Sequence, residues 1–344
     1  MVVTSAVSIR LLASRTLNQL RCWTSYALSL FGVVRVRHLP TFVSVEPANF
    51  CQLRCPECPV GIALSPHRPI ANHLMPLSVF KRVLEQVQAT THTMQFYFQG
   101  EPLLNKQLPE MIAMAHQVGL YTIVSTNAQA LNRSTAEALV KSGLNRIIVS
   151  IDGFSEESYA AYRVGGSLHK ALEGLQHLAN AKAELHSRIR IELQVLRLKS
   201  NEHEWQWIKK NYKSLGATHL VFKTAQLYNF ENGHPLMPTD ERYSRYRKTA
   251  DGTYVHKKSS HLSPITLSPH RLIALQPCLR LWSGCVITTS GDVLPCCYDK
   301  DHRHALGNIT THSLSEIFLS HKANTLRKHI LNGHLPEMCK NCNH

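Results

Sequence analysis

The sequence lacks an apolar run long enough to cross a membrane. Its longest apolar stretch near the N-terminus, residues 28–34, is interrupted by Ser29 and is far shorter than the ~20 residues that span a bilayer. A signal peptide is not expected either, because no extended apolar core precedes a small-residue cleavage site. Runs that alternate basic and aromatic residues are also missing, so nucleic acid is not an expected partner.

Acidic residues are scarce relative to basic ones. The chain has 23 Asp plus Glu against 38 Lys plus Arg, a formal net charge of +15. This excess favours an anionic partner, such as an acidic substrate or an anionic surface. Hydrophobic residues make up 44% and charged residues 18% of the 344 residues, which excludes a disordered chain and predicts one large domain or two smaller ones.

Residues 1–40 form a basic arm. Apolar residues are mixed there with arginines, which predicts an amphipathic helix within residues 9–36 that packs on the protein. A helix that lies on an anionic membrane surface is the second option, so peripheral membrane contact would be made through this arm. The arginines are Arg10, Arg15, Arg21, Arg35 and Arg37.

No cysteine occurs between Cys58 and Cys278, and Cys22 stands alone in the arm. Disulfide-rich proteins spread their cysteines, whereas metalloproteins group them. We therefore expect metal sites in a reducing, cytoplasmic compartment. The first group is Cys51, Cys55 and Cys58, and the second is Cys278, Cys285, Cys296, Cys297, Cys339 and Cys342.

The first group has the spacing C-x3-C-x2-C and follows a short apolar run at 42–45. Three thiolates on one tight loop can bind three irons of a cubic 4Fe–4S cluster. The fourth iron then stays open to a small molecule, as the open position of a catalytic metal site does. Zinc, with His67 as a fourth ligand, is the alternative for this loop.

Short apolar runs alternate with segments of helical periodicity from residue 42 to residue 223. This alternation predicts six β/α repeats, hence a parallel sheet curled into a full or partial barrel. Ser78 is the expected cap of the first helix, and Gly143 and Gly216 mark helix ends. The predicted strands are 42–47, 94–98, 121–125, 146–151, 188–195 and 218–223. The predicted helices are 77–88, 106–118, 132–142, 168–184 and 202–214.

Polar residues follow successive predicted strands. Gly100 and Glu101 come after the second strand, where a glycine lets a ligand approach the backbone and a carboxylate accepts from a ligand ammonium. Hydroxyls, an amide and a carboxylate after the third and fourth strands suit a ribose, and an arginine suits a ligand carboxylate. Because carboxyl ends of parallel strands share one rim, these residues and the cysteine loop should meet there. The later residues are Ser125, Asn127, Ser150, Asp152 and Arg163.

Together these motifs resemble the radical S-adenosylmethionine (SAM) enzymes that carry a C-terminal auxiliary-cluster domain of the SPASM/twitch type. The resemblance covers residues 42–344. Residues 99–102 read Gln-Gly-Glu-Pro, where the family has a Gly-Gly-Glu-Pro-like stretch, and Glu57 stands where the family usually has an aromatic residue. The resemblance implies that Cys51, Cys55 and Cys58 bind a 4Fe–4S cluster whose open iron is chelated by SAM.

The resemblance also implies roles for the rim residues. The stretch Gly100-Glu101-Pro102 would bind the SAM amino group. Ser125, Asn127, Ser150 and Asp152 become candidate ribose or methionine contacts, and Arg163 a candidate contact of the SAM carboxylate.

The second cysteine group resembles a SPASM domain. Cys278, a Gly-x4-Cys spacing that ends at Cys296, and the pair Cys339 and Cys342 would saturate one auxiliary 4Fe–4S cluster. Cys297 is the alternative to Cys296, Cys285 is expected to be a small buried side chain, and a zinc ribbon is the alternative for the four sulfurs. The cysteines stop at Cys342, so we expect one auxiliary cluster, as in the shortened twitch arrangement.

Around these cysteines we predict further elements of a small α+β domain. Residues 286–287 and 293–294 would form a hairpin that turns near Gly291, and a helix would run from about 314 to 331. The expected domains are the arm at 1–40, a partial (β/α)6 TIM-like barrel at 41–224, a bridging segment at 225–270 and the auxiliary-cluster domain at 271–344.

The resemblance implies an enzyme that reductively cleaves SAM to a 5′-deoxyadenosyl radical and takes a hydrogen atom from a substrate. An external one-electron reductant of the flavodoxin or ferredoxin type would supply the first cluster, and the auxiliary cluster would accept an electron from the substrate. Asp299 and Lys223 are candidate bases for the proton, with surface ion pairs as the alternative. We expect oxidation, dehydrogenation or bond formation on an unknown small molecule; the alternatives are a peptide-modifying maturase and a non-catalytic electron carrier.

Overall fold

A computed structural model describes residues 9–62, 72–257, 266–268, 271–272, 278–340 and 342. His67, the alternative zinc ligand of the cysteine loop, lies outside these ranges. So do Asn341 and the last two residues of the sequence.

A nine-stranded sheet forms the centre of the molecule, with strand order β13-β12-β11-β1-β2-β3-β4-β5-β6. The strands from β11 to β6 pair in parallel with one another, and β12 runs antiparallel to both of its neighbours, β11 and β13. The sheet strands are β1 (Phe42–Val45), β2 (Thr93–Phe96), β3 (Tyr121–Thr126), β4 (Arg146–Ser150), β5 (Arg190–Arg197), β6 (His219–Thr224), β11 (Gly284–Ile287), β12 (Asp292–Leu294) and β13 (Gly307–Asn308).

Two small antiparallel hairpins lie outside this sheet, within the bridging segment and just after it. They are β7 (Tyr246–Lys248) with β8 (Tyr254–His256), and β9 (Thr266–Ser268) with β10 (Arg271–Leu272). The helices are α1 (Ile9–Ser29), α2 (Leu77–Val87), α3 (Leu108–Gln117), α4 (Arg133–Lys141), α5 (Glu156–Ala160), α6 (Leu168–Glu184), α7 (Trp205–Asn211), α8 (Leu279–Ser283), α9 (Leu314–Phe318), α10 (His321–Leu331) and α11 (Glu337–Lys340).

The main core lies between the outer face of the sheet and the helices. On β4, Ile147 and Val149 belong to this core, and Leu175 and Leu178 of α6 pack in the same cluster. Because side chains alternate along a strand, the residues between these core positions face the inside of the curled sheet. The predicted TIM-like α/β fold is confirmed, and the inner face of the sheet is the place where polar rim residues can converge.

Some local predictions differ from the structure. Ser78 lies inside α2, whose preceding residue is Pro76, so the predicted serine cap is wrong. The helix expected at 202–214 begins as a 3-10 turn at Lys199–Glu204 and continues as α7. The helix expected at 314–331 is broken between α9 and α10, because Ser320 caps a new helix.

The C-terminal hairpin is present where it was predicted, with Gly291 in the turn at φ +89°. Its first strand, β11, also pairs in parallel with β1, from Phe42 opposite Gly284 to Val45 opposite Ile287. The auxiliary-cluster region therefore extends the sheet of the barrel and places its cysteines next to the barrel opening.

Helix α1 packs on the body of the protein, as predicted for the arm. Among the described residues, no helix is long and apolar enough to span a bilayer. All ten cysteines are free thiols.

Candidate active site

The first cysteine loop follows β1 and lies against the rim formed by the neighbouring strand ends. The backbone N–H of Glu101 donates to the carbonyl of Phe50 at 2.9 Å, and the N–H of Arg54 donates to the carbonyl of Val164 at 2.9 Å. Both contacts join the loop to segments that follow other strands. The loop is thus positioned by the barrel rather than by its own short sequence.

Two glycines allow this loop to pack closely. A Cβ on Gly100 would lie 2.1 Å from the carbonyl oxygen of Ala48, and a Cβ on Gly61 would lie 2.5 Å from the carbonyl oxygen of Cys55. Both oxygens belong to the backbone, so neither can move aside as a flexible side chain would. Gly100 was expected to admit a ligand; in the structure it admits the chain's own backbone just before the cysteine loop.

The thiols of this loop receive hydrogen bonds from the barrel. The Asn127 side-chain amide donates to the Cys51 sulfur at 3.3 Å, and the Leu53 N–H donates to the same sulfur at 3.4 Å. Burial raises the pKa of the Cys55 thiol, and the Arg163 guanidinium, which lies close to Cys55, lowers that pKa. Such donors stabilise a thiolate ligand and orient it. This donor set fits an iron–sulfur cluster bound by three thiolates.

Burial, with smaller contributions from Glu101 and the neighbouring thiols, raises the pKa of the Cys51 thiol to about 12. Thiolates are therefore favoured at this place only when a cation offsets their charge. Within the described ranges, no group of three or more His, Cys, Asp or Glu side chains converges tightly enough to hold one metal ion. A cubic cluster needs no such convergence, because each thiolate binds a different iron.

Glu101 is a buried carboxylate with three hydrogen-bond donors. Its Oε1 accepts from the Thr126 hydroxyl at 2.6 Å and from the Leu103 N–H at 3.1 Å, and its Oε2 accepts from the Asn127 N–H at 2.8 Å. Burial raises the pKa of Glu101, while these bonds lower it. The carboxylate ties the start of the Pro102–Leu104 turn to the end of β3. The structure thus brings Glu101 and Asn127 together beside Cys51.

Asp152 and Arg163 form a buried ion pair. The Arg163 Nη2 and Nε lie 2.6 and 2.7 Å from the same carboxylate oxygen, and the other oxygen accepts from the Leu196 N–H at 2.6 Å. Burial alone would lower the pKa of Arg163, but the Asp152 carboxylate raises it. These residues were expected to contact different groups of SAM. In the structure they contact each other, and the Arg163 guanidinium also lies close to Cys55.

Ser125 and Ser150 lie on the same rim with fewer contacts. Ser125 is half-buried on β3, opposite Ile148 in the sheet register. Ser150 is buried at the end of β4, and its hydroxyl accepts from the Gln194 amide at 3.5 Å. Ser125 and Ser150 thus lie near the carboxyl ends of β3 and β4, on the rim that carries the candidate cofactor site.

Glu57, the residue that departs from the family pattern, has a structural partner on each oxygen. Its Oε2 accepts from the Tyr228 N–H at 2.8 Å, and its Oε1 lies 3.1 Å from the His234 Nε2. The cysteine loop is thereby joined to the segment that follows β6. No local signal in the sequence could have indicated this, because the partners are far along the chain.

The second cysteine group surrounds an apolar cluster. Trp282, Ile330 and Leu331 form its buried centre, and Cys278, Cys296 and Cys339 pack against them. Burial, with smaller contributions from the nearby thiols of Cys342 and Cys278, raises the pKa of Cys339 to about 12. Four thiols thus lie in one neighbourhood, although they come from well-separated parts of the chain.

Cys296 and Cys297 face different surroundings. Cys296 shares the apolar cluster with Cys278, whereas the Cys297 sulfur accepts from the Arg280 Nη1 at 3.1 Å. Cys297 also lies within electrostatic reach of Tyr97 on the barrel side. Cys285 is buried in the main core. The thiols of Cys296 and Cys297 also contact each other, so the choice of Cys296 as the fourth ligand stays a prediction.

A cleft of about 420 Å³ lies between the two cysteine groups. Pro59 of the first cysteine loop lines it, together with Gln226 and Tyr228 beyond β6 and Asp299 and Lys300 beyond the second group. The candidate base Asp299 is buried on this wall, and its Oδ2 accepts from the His304 N–H at 3.0 Å. The other candidate, Lys223, lies exposed on β6.

Two basic residues that the sequence did not single out lie close together here: Lys300 lines the cleft, and Arg245 lies near Lys300 and Tyr298. The Lys300 Nζ donates to the Tyr228 hydroxyl at 2.8 Å and lies within electrostatic reach of both Cys58 and Cys297. Arg245 donates through Nε to the Thr224 carbonyl at 3.2 Å. Its Nη1 is buried and has no hydrogen-bond partner among the described residues. Only long-range packing brings these cations together.

Comparison with known families decides what this arrangement is. The family model of the radical SAM superfamily matches residues 45–189, and that of the SPASM iron–sulfur cluster-binding domain matches residues 278–343. The chain belongs to the radical SAM superfamily. Its radical SAM domain contains the first cysteine loop, and its SPASM domain contains the second group. It is an enzyme whose cofactors are SAM and two 4Fe–4S clusters.

Relatives and solved structures agree with this assignment. The PqqA peptide cyclase of Rhizobium meliloti (strain 1021) is 26% identical over 310 residues, which cover 88% of this chain and 79% of the relative. Streptococcus suis SuiB has a TM-score of 0.62 at 13% identity, over 84% of this chain and 68% of that one. Native anSMEcpe with bound AdoMet has a TM-score of 0.59 at 17% identity, over 88% and 86%. The two structures establish the radical SAM fold.

Proposed function

We propose that this radical SAM enzyme modifies a peptide. The observation that carries the proposal is the 26% identity to a PqqA peptide cyclase over 88% of this chain, which includes both cysteine groups. This likeness favours the peptide-maturase alternative over the small-molecule substrate that the sequence analysis placed first. A non-catalytic electron carrier would have no use for the SAM-binding domain.

The cleft between the two cysteine groups is the proposed peptide site. Its volume, about 420 Å³, falls within the ~300–1,000 Å³ of ordinary ligand sites, so it accommodates a side chain and its neighbours rather than a folded domain. One wall carries Pro59 of the SAM-binding loop, and the opposite wall carries Asp299 and Lys300 of the SPASM domain. A substrate held there lies between the two proposed cluster sites.

The cleft is lined by both signs of charge, with Lys300 and Arg303 beside the carboxylates Glu231, Asp299, Asp301 and Glu337. The support for a peptide with an acidic side chain is Arg245, which lies within electrostatic reach of Lys300 and whose Nη1 lacks an acceptor among the described residues. A buried guanidinium donor without a partner favours binding of a carboxylate, which can accept in a charge-assisted bond. Selection between peptides would therefore depend on the position of an Asp or Glu.

The rim residues hold the cofactors in this proposal. Cys51, Cys55 and Cys58 would ligate the first cluster, Asn127 and Arg163 would orient their sulfurs, and Glu101 would fix the SAM-binding turn. Cys278, Cys296, Cys339 and Cys342 would ligate the auxiliary cluster. When bound, these cofactors supply a 5′-deoxyadenosyl radical that removes a substrate hydrogen atom and an auxiliary cluster that accepts an electron.

Tyr228, Lys300 and Asp299 complete the proposed site. The electrons for the first cluster come from a separate reductant protein. Tyr228 and Lys300 line the space between the two domains, and the Lys300 Nζ donates to the Tyr228 hydroxyl there. Asp299 is the favoured base for the substrate proton because it lines the cleft. An external one-electron reductant of the flavodoxin or ferredoxin type fits the basic surface, since such partners are recognised through complementary charge.

The test is an anaerobic assay of reconstituted protein with SAM, dithionite and two sets of probes. One set contains synthetic peptides that differ only in Glu, Asp, Gln or Asn at a single position, and the other contains sugars and cyclitols. We expect peptides with an acidic residue to raise 5′-deoxyadenosine formation above the substrate-free rate and to change mass. Stimulation by the small-molecule set alone would contradict the proposal.

A variant separates the acidic-residue proposal from the peptide proposal. Arg245→Gln removes the unpaired donor and should abolish the preference for Glu over Gln peptides while 5′-deoxyadenosine is still formed. Arg242→Gln is the matched control, because Arg242 is exposed and pairs with Asp240 on the surface. If Arg245→Gln keeps the preference for Glu peptides, Arg245 does not bind the substrate carboxylate, whereas the proposal that the enzyme modifies a peptide is unaffected.

A further inference from the structure

Helix α1 presents its polar side to the protein and its apolar side to solvent. The residues that it buries are Arg15, Asn18, Cys22, Ser25 and Ser29, which recur at helical spacing along one face. A helix that only packs on a protein body normally buries its apolar stripe. The reversed orientation needs another explanation.

The buried polar face is fully engaged with the body. The Arg15 guanidinium donates to the carbonyls of Gln88, Val118 and Gly119 at 2.9, 2.6 and 2.9 Å. The Asn18 amide donates to the carbonyl of Thr90 at 3.1 Å. These bonds satisfy backbone oxygens in the loops that precede the strands, so α1 is fixed in one orientation and its outer face is held toward solvent.

The outer face is apolar and strongly exposed. Leu20 is 59% exposed and Trp23 is 49% exposed, and beyond the helix Phe31 is 75% exposed. Clusters of exposed apolar side chains of this kind mark interaction sites rather than ordinary surface. Other exposed apolar residues of the same segment are Ile9, Leu12, Leu17, Leu30 and Val33.

The same segment carries positive charge only. No Asp or Glu occurs before Glu46, and the exposed arginines Arg10 and Arg21 flank the apolar face of α1, followed by Arg35 and Arg37. Leucine, tryptophan and phenylalanine beside arginines are the composition of helices that lie in an anionic lipid interface. Each basic residue near such a surface adds roughly 1 kcal/mol of attraction.

We propose that α1 docks the enzyme on an anionic lipid surface, with Leu12, Leu20 and Trp23 entering the headgroup region. A second copy of the chain fits this face less well. In a two-fold contact the same patch meets itself, so Arg10 and Arg21 would face a surface that carries arginines and no acidic side chain. Anionic headgroups supply the negative charge that the segment lacks.

The position of α1 keeps the active site accessible on such a surface. Arg15 contacts Gln88 and Gly119, which lie before β2 and β3 at the amino ends of the strands. The cysteine loop and the cleft lie at the carboxyl ends. A docked enzyme therefore turns its cleft away from the lipid, where a peptide and a reductant can reach it.

The test is co-sedimentation of the full-length reconstituted protein with vesicles of phosphatidylcholine alone or with phosphatidylglycerol added. We expect binding to the anionic vesicles and a weakening with salt. Leu12→Gln/Leu20→Gln should reduce the apparent affinity about tenfold or more by removing apolar insertion. Arg10→Gln/Arg21→Gln should reduce it roughly thirtyfold, from about 1 kcal/mol per arginine.

Matched control variants separate this face from the general surface. Leu185→Gln/Leu319→Gln removes two exposed leucines elsewhere, and Lys170→Gln/Lys210→Gln removes the same charge elsewhere. Both should bind the anionic vesicles as the unaltered protein does.

Three results would overturn the proposal: equal affinity for both vesicle types, equal losses in the control variants, or self-association that the α1 variants abolish without any vesicle binding. Light scattering of the same variants measures the last of these.

Discussion

The two cysteine groups are held in place by different physical means. The first lies on one short loop, where the Asn127 amide donates to the Cys51 sulfur and the Arg163 guanidinium lies close to Cys55. The second is drawn from residues 278 to 342 and gathers around the apolar residues Trp282 and Ile330. The first site is therefore organised by polar contacts from the barrel together with an apolar cluster that includes Leu53, Cys55 and Tyr162, whereas the second is part of the packing of its own domain.

Because of this difference, loss of the first cluster and loss of the auxiliary cluster should affect activity and stability to different extents. Loss of the first cluster should remove activity and leave the fold, because the main core behind β1 does not include the loop sulfurs. Loss of the auxiliary cluster should loosen the SPASM domain as well, since metal binding and folding are coupled where the ligands come from distant segments. Each prediction below tests one side of this contrast.

The largest effect is expected from Cys51→Ala/Cys55→Ala/Cys58→Ala. Without thiolates the open cluster cannot bind, so 5′-deoxyadenosine formation should fall to background, while thermal unfolding shifts by only a few degrees. Chromatography of the nucleoside product and iron analysis measure the result. Persistent 5′-deoxyadenosine formation in this variant would contradict the assignment of Cys51, Cys55 and Cys58 as ligands of the SAM-binding cluster.

The next effect compares the adjacent residues Cys296 and Cys297. Cys296→Ala should lose the auxiliary cluster's share of the iron and lower the thermal stability, because Cys296 packs with Cys278 and Cys339. Cys297→Ala is the matched control and should retain its iron, because its sulfur faces Arg280. Mössbauer spectra of both variants distinguish the clusters, and the reverse pattern would transfer the ligand role to Cys297.

A smaller effect is expected from Arg163→Gln, which leaves the Asp152 carboxylate buried without its cation. Removing one partner of a buried ion pair costs about 3–5 kcal/mol. Anaerobic urea unfolding should therefore show a loss in that range. The double variant Asp152→Asn/Arg163→Gln should recover part of it.

The control for this ion pair lies on the surface. Arg133→Gln breaks the exposed contact with Glu137, which should change the unfolding free energy by less than about 1 kcal/mol. Equal losses in Arg163→Gln and Arg133→Gln would show that the pair beside Cys55 is not an essential support.

The sequence predicts those features of the structure that depend on a local pattern of residues. The continuous apolar run at 146–151 predicted the buried strand β4, and helical periodicity placed α6 at Leu168–Glu184. The spacing of Cys51, Cys55 and Cys58 predicted the class of cofactor. These signals succeed because each depends on residues that are neighbours in the chain.

Long-range contacts could not be predicted in the same way. The pairing of β11 with β1 joins segments that are distant in the chain, with Phe42 opposite Gly284, and the approach of Lys300 to Cys58 depends on that pairing. Helix α1 was predicted correctly as an amphipathic helix, but which of its faces meets the protein depends on carbonyls offered by distant loops.

The smallest effect is expected from Glu57→Gln, which tests how far polar contacts brace the first loop. The change removes the charge that faces His234 but keeps an acceptor for the Tyr228 N–H. A hydrogen bond to the neutral glutamine amide is weaker than one to the Glu57 carboxylate. We therefore expect the free energy of unfolding, measured in urea, to fall by about 1 kcal/mol. Glu173→Gln is the matched control, since Glu173 meets His177 at 3.7 Å on the surface and should contribute almost nothing. If both variants unfold alike, the contact of Glu57 with the segment beyond β6 is incidental, and the loop is positioned by Gly100, Asn127 and Arg163 alone.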